Sequence, residues 1–152
     1  MTADRADPAG GRPAGASGGP QPLSRISSFH AHVYYDPAST RAAAERLREE
    51  VAARFLVRNG AWHDVPVGPH PGAMFQISFA KEAFATIVPW LMLNRLGLTI
   101  LVHPNTDRPR DDHLVHALWL GQVLPLDASR LPEAAAPEPP LEPNTQPHIP
   151  SG

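Results

Sequence analysis

The stretch Ile26-Ser-Ser-Phe-His-Ala-His-Val-Tyr-Tyr35 decides the fold. Phe29, Ala31, Val33 and Tyr35 alternate with His30, His32 and Tyr34. A period of two belongs to a strand whose two faces differ. Moving outward, Asp36-Pro37 predicts a helix start, with Asp36 as N-cap and proline at the first helical position. Ala44, Leu47, Val51 and Phe55 give that helix its buried stripe. Asn59-Gly60 signals a turn flanked by strands. Residues 61–72 read as an irregular strand running into a rigid loop, because Pro66, Pro69 and Pro71 cannot donate ladder hydrogen bonds. Ala73–Phe79 alternates again, with Phe75, Ile77 and Phe79 opposite Met74, Gln76 and Ser78.

A second amphipathic helix is predicted over 82–96, with Phe84, Ile87, Val88, Leu91 and Leu96 inward and Gly97 as its stop. Pro89 must kink it or mark its true start. Leu98–Val102 is the next strand, ending at His103-Pro104. Asp111 is placed to cap a third helix over 112–120, and Leu124–Leu126 reads as a last short strand. The order is βαββαβ, which predicts an α+β, ferredoxin-like antiparallel sheet with helices on one face. The other face needs a cover, and a second subunit is the common one. A homodimer forming a dimeric α/β barrel is the expectation.

Composition sets the domain limits. The chain has 152 residues, 19 prolines, no cysteine and a formal net charge of −2. Prolines crowd both ends, whereas every aromatic residue lies between Phe29 and Trp119. Residues 1–24 and 132–152 therefore read as disordered tails, and 25–131 as one domain. Within that domain cations and acids nearly balance, so no basic field for nucleic acid exists. No apolar run reaches the ~20 residues that span a bilayer, and no signal-peptide core follows the first methionine. The absence of cysteine excludes disulfides and thiolate metal sites, and suits the cytoplasm.

The histidines carry the chemistry. His30 and His32 share the strand face away from the helices. His103 points the same way if Ile100 and Val102 face the helices. Neighbouring strands lie about 5 Å apart, so the three imidazoles can converge. His70 sits between Pro69 and Pro71. Imidazoles on one open face suit a zinc, iron, nickel or copper ion, although any single pair can equally be satisfied polar residues. His113 is a capping residue or a catalytic one. His63, His116 and His148 read as surface residues. Trp62, Trp90 and Trp119 are core or pocket walls. Arg95 and Arg110 are helix-end or surface groups that could hold a substrate carboxylate. No nucleophile elbow, P-loop or dinucleotide fingerprint is present.

Several motifs occur together in order: Phe29-His-Ala-His-Val-Tyr-Tyr35, Pro66-Val-Gly-Pro-His-Pro71, Met74-Phe-Gln76, Pro89-Trp-Leu-Met-Leu-Asn-Arg95, Leu98-Thr-Ile-Leu-Val-His-Pro104, Asp112-His113 and Ala117-Leu-Trp-Leu-Gly121. This set resembles the DOPA 4,5-dioxygenase family over about residues 29–126. The resemblance implies a ferredoxin-like fold and extradiol cleavage of a catechol by O2 at non-haem Fe(II), other divalent metals being possible. It implies His32, His70 and His103 as metal ligands, with His30 the alternative to His32. His30 and His113 become acid–base or substrate-orienting groups. No carboxylate clearly joins the histidine face: Asp36 is used as a cap, and Asp64, Glu82 and Asp112 are the candidates. Two other readings stand beside it, a ferredoxin-like monooxygenase and a non-enzymatic metal or small-molecule binding module.

Overall fold

The computed structural model describes residues 19–152. The expected tail over 1–24 falls mostly outside them. Strands β1 (Ser28–Tyr34), β2 (Arg58–Asn59), β3 (Met74–Phe79), β4 (Thr99–Asn105) and β5 (Leu118–Leu120) form one sheet in the order β2-β3-β1-β4-β5. Every pairing is antiparallel. Helices α1 (Arg41–Arg54) and α2 (Phe84–Asn94) supply the two crossovers, and a short α3 (Pro109–Leu114) joins β4 to β5. The first four strands have the predicted ferredoxin-like arrangement, and β5 extends it at one edge.

The core lies between the helices and one sheet face. Ala44, Leu47 and Val51 from α1, with Ile87, Val88 and Leu91 from α2, pack on Ala31, Val33, Phe75, Ile77, Phe79, Ile100 and Val102. Fully burying each large aliphatic or aromatic side chain here contributes about 1.5–3 kcal/mol. The predicted alternation therefore sets the sheet's orientation, and it turns His30, His32, Gln76, Ser78 and His103 to the other face.

Several local expectations are corrected. The helix does not begin at Asp36-Pro37. The Asp36 carboxylate accepts the Ala38 N–H at 2.9 Å, and its carbonyl accepts the Ser39 and Thr40 N–H groups. This closes a separate turn, and α1 starts at Arg41. Pro89 lies inside α2 and is not its start. Leu96 is 45 % exposed rather than inward, because it adopts a left-handed backbone (φ 55) beside Gly97 (φ 76) where the helix ends. The third helix starts earlier and is shorter than 112–120, since Pro109 occupies its first turn. Leu118–Leu120 instead pairs with Ile100–Val102. Leu124–Leu126 is not a strand; both leucines pack with Ala117 and Trp119 on Tyr34, Met74 and Leu101.

The segment 132–152, expected as a free Pro-rich tail, lies on the domain. The Arg110 N–H donates to the Pro132 carbonyl and the Ala135 N–H to that of Asp107. Farther on, the Asn144 N–H donates to the Val57 carbonyl at 3.0 Å, and the Asn144 side chain accepts from the Asn59 N–H at 2.8 Å. The Thr145 hydroxyl donates to the Phe55 carbonyl at 2.8 Å. The His148 and Ile149 N–H groups both reach the Ala53 carbonyl. Prolines keep the segment extended, and the Asn144, His148 and Ile149 N–H groups find partners beside β2 and on α1.

Candidate metal centre

Strand register brings the first three imidazoles together. His30 stands opposite His103 across the β1–β4 pairing, and His32 is two residues along β1 on the same face. His70 arrives from the proline-bracketed loop, and His113 from α3, whose start is fixed by Pro109. His32 Nε2 and His103 Nε2 lie 3.0 Å apart. The ring centres of His103 and His113 are separated by 3.8 Å, and those of His32 and His70 by 4.2 Å. All five predicted site histidines thus share one cavity of about 250 Å³, with Gln76, Asn105 and Asp112 in its wall.

Two sets of three have nitrogen atoms within 4.8 Å of one another: His30, His32 and His103, and His32, His70 and His113. His32 belongs to both. The expected trio of His32, His70 and His103 is divided between these sets. His30, named above as the alternative to His32, sits with it in the first.

The outer nitrogens are held by neighbours. His103 Nδ1 donates to the Pro104 carbonyl at 2.8 Å, and His113 Nδ1 to that of Pro109 at 2.7 Å. These bonds leave each Nε2 lone pair facing the cavity. His70 Nδ1 lies 2.5 Å from the Tyr34 hydroxyl. The Gln76 amide nitrogen lies 3.3 Å from His30 Nε2. His32 Nδ1 is buried with no hydrogen-bond partner. An orphaned buried nitrogen costs about 1–3 kcal/mol.

Burial and mutual proximity keep the imidazoles neutral. Burial first, then the neighbouring His113 and His70, lower His30 to about 4. Burial, then His113 and His63, lower His70 to about 4. His32 and His103 lie well below the usual histidine value, chiefly through burial. His113 is lowered too, again chiefly by burial. Neutral imidazoles are the donor form that a borderline metal ion takes, and His103 and His113 keep Nε2 unprotonated, so the residues fit one.

The carboxylate candidates do not join this set. Asp112 lines the cavity, but its two oxygens accept from the Thr106 N–H and hydroxyl at 2.8 and 2.7 Å. Burial raises its pKa. Asp64 accepts from the Tyr35 hydroxyl at 2.6 Å and from Arg41 at 2.9 Å. Glu82 is exposed in a single turn before α2. Arg110 pairs with Glu133 at 2.9 Å and donates to the Leu131 carbonyl, and it does not line the cavity. Trp90 packs on Phe55 and Arg54, on the helix side. Trp119 stacks on Tyr34, 5.9 Å between centres, outside the cavity wall. Ser27 and Ser28 bond to Asn105 and not to His30.

Sequence reasoning placed Tyr34 and Gln76 on this face without giving them a role. It missed the contribution of Leu131, Ala135, Ala136 and Glu138, which also line the cavity. They lie at or beyond the proline-rich boundary, where no periodicity points to a site.

Fold and site together define an α+β protein with a buried polyhistidine centre on the open face of an antiparallel sheet. Residues 29–130 match the Dopa 4,5-dioxygenase family. The chain belongs to that family. It is 35 % identical over 119 residues to a DOPA 4,5-dioxygenase of Amanita muscaria, a match covering 72 % of this chain and 51 % of that protein. It is 38 % identical over 117 residues to an uncharacterized 21.2 kDa protein of Botryotinia fuckeliana, covering 67 % of this chain and 62 % of the other. The chain therefore spans about half to three fifths of these curated relatives. A crystal structure of a "putative dioxygenase" from Nostoc punctiforme superposes with a TM-score of 0.70 at 50 % identity, covering 72 % of this chain and 95 % of that one. Among the described residues no helix is long and apolar enough to cross a membrane.

Proposed function

We propose that this protein is an extradiol ring-cleaving dioxygenase that acts with O2 on a catechol such as DOPA, using Fe(II) held by histidines. The observation that carries this reading is the convergence of five neutral imidazoles in one cavity of a Dopa 4,5-dioxygenase family domain. His32, His70 and His103 would hold the ion, with His30 beside them. Bound there, Fe(II) would supply Lewis-acid chemistry that lowers the pKa of a diol hydroxyl, together with redox chemistry toward O2.

The chain's own residues do the rest. Tyr34 and the Pro104 carbonyl fix the rings of His70 and His103 through Nδ1. His113 Nε2, free and unprotonated, accepts a hydroxyl proton from the bound diol and returns it later. Gln76 holds the His30 ring. The chain's cysteine-free composition is the basis for placing the protein in the cytoplasm.

Anaerobic loading with Fe(II), followed by L-DOPA and air, is expected to consume O2 and produce a yellow, ring-opened semialdehyde. Absence of O2 uptake with every catechol tested would sink the reading. Activity that survives chelation would point to a metal-free monooxygenase, and tight catechol binding without turnover to a binding module.

A further inference from the structure

The family match ends at residue 130, but the cavity wall does not. Leu131, Ala135, Ala136 and Glu138 line the histidine cavity from the segment that follows. The same segment, through Glu138 to Glu142, lines an adjoining cavity of about 370 Å³. His30, Gln76 and Glu138 border both. The segment is tied at both ends, by Arg110 and Asp107 on one side and by β2 and α1 on the other.

The charged side chains along this route are mostly acidic. The imidazoles of the histidine cavity are neutral, and Asp112 is engaged by Thr106. Glu138 is thus the acid of that wall whose carboxylate makes no hydrogen bond or ion pair among the described residues. The adjoining cavity adds Glu142 and Arg58. The Arg58 guanidinium donates to the Glu142 backbone carbonyl at 3.1 Å, so one cation stands against the two carboxylates of Glu138 and Glu142. Glu138 is absent from both sets of converging donor atoms. Its place is therefore at the wall and not among the ligands.

We propose that the Pro-rich segment after residue 130 is a built-in wall of the active site, and that Glu138 on it selects aromatic diols bearing a cationic substituent. This rests on the catechol reading above and adds a specificity residue to it. The contact is an ion pair at a partly solvated mouth, so its effect is modest and weakens with salt.

The test is anaerobic binding to the iron-loaded full-length protein, where no turnover can occur. Dopamine, 4-methylcatechol and 3,4-dihydroxyphenylacetate serve as cationic, neutral and anionic probes, read by calorimetry. The unmodified protein is expected to bind dopamine tightest and the anion weakest. Glu138→Gln is expected to weaken dopamine about fivefold, to strengthen the anion similarly, and to leave 4-methylcatechol unchanged. Ala136→Phe, which adds bulk to the wall, is expected to weaken all three. If Glu138→Gln leaves the ratio of the three affinities unaltered, the selectivity assignment is overturned while the catechol reading stands. If Ala136→Phe changes no affinity, the segment is not a wall of the site. Failure of every catechol to bind overturns the catechol reading and this assignment together.

Discussion

His32 is the residue on which the centre turns. It belongs to both sets of converging nitrogens, whereas His30 and His113 each belong to one. His32→Ala is therefore expected to abolish stoichiometric iron in the purified protein, and His113→Ala to retain most of it; metal analysis by mass spectrometry checks both. Tyr34→Phe removes the hydroxyl that holds His70 Nδ1. Loss of such an outer partner typically costs about 10–100-fold in metal affinity, measurable by competition with a chelator. Acid should also unfold the metal-free protein. His30 and His70 fall from 6.5 to about 4 on folding, so between these values the unfolded chain binds more protons. The stabilisation is present above pH 6.5 and is lost as pH falls toward 4. Lowering pH from 7 to 5 should cost on the order of 2 kcal/mol per histidine, read as a falling denaturation midpoint. Histidines on a strand of period two were legible from sequence because their face follows from the apolar residues between them. Glu138 was not, because a carboxylate among prolines carries no periodic signal and gains its position only from the tether points around it.

At the scale of elements, the strands were easier to read than the helix ends. Strand faces follow from alternation, and every large apolar residue of β1 and β3 confirms them. Helix limits depend on single residues that compete locally. Asp36 prefers to close its own turn, and Pro109 starts α3 three residues before the start expected from Asp111 as cap. The run Ala117–Leu120 is short and apolar, so periodicity alone does not distinguish helix from strand. Pairing with Ile100–Val102 decides it. Leu96 shows the same competition at the end of α2. The chain must turn left-handed there to reach β4, and a leucine carries a steric cost that glycine lacks. Its side chain is 45 % exposed, so little burial is lost on removing it. Leu96→Gly is expected to stabilise the fold by about 1 kcal/mol, seen as a higher midpoint in urea with an unchanged slope. A lower midpoint would mean that the partial burial of Leu96 outweighs its backbone strain.

At the scale of the molecule, composition divided the chain at 131, but the fold does not stop there. The expectation of a homodimer rested on a bare sheet face. In this structure Ala117, Trp119, Leu124 and Leu126 cover one part of that face, and the segment from Leu131 to Glu142 covers the histidine end. The segment then runs beside β2, an edge strand, where Asn144 bonds to Val57 and Asn59. An uncovered edge is a template for pairing with another chain. Ending the chain at Glu133 would remove these bonds and those of Thr145, His148 and Ile149, while keeping buried Leu131 and the Arg110–Glu133 pair. At about 0.5–1.5 kcal/mol for each net hydrogen bond, the loss should be on the order of 3 kcal/mol. The bare face and free edge should also drive concentration-dependent self-association, visible by sedimentation. A shortened chain as stable and as dispersed as the full one would mean that the domain completes its core without the segment. It would also mean that the covering of the sheet face lies elsewhere, in a second copy of the chain.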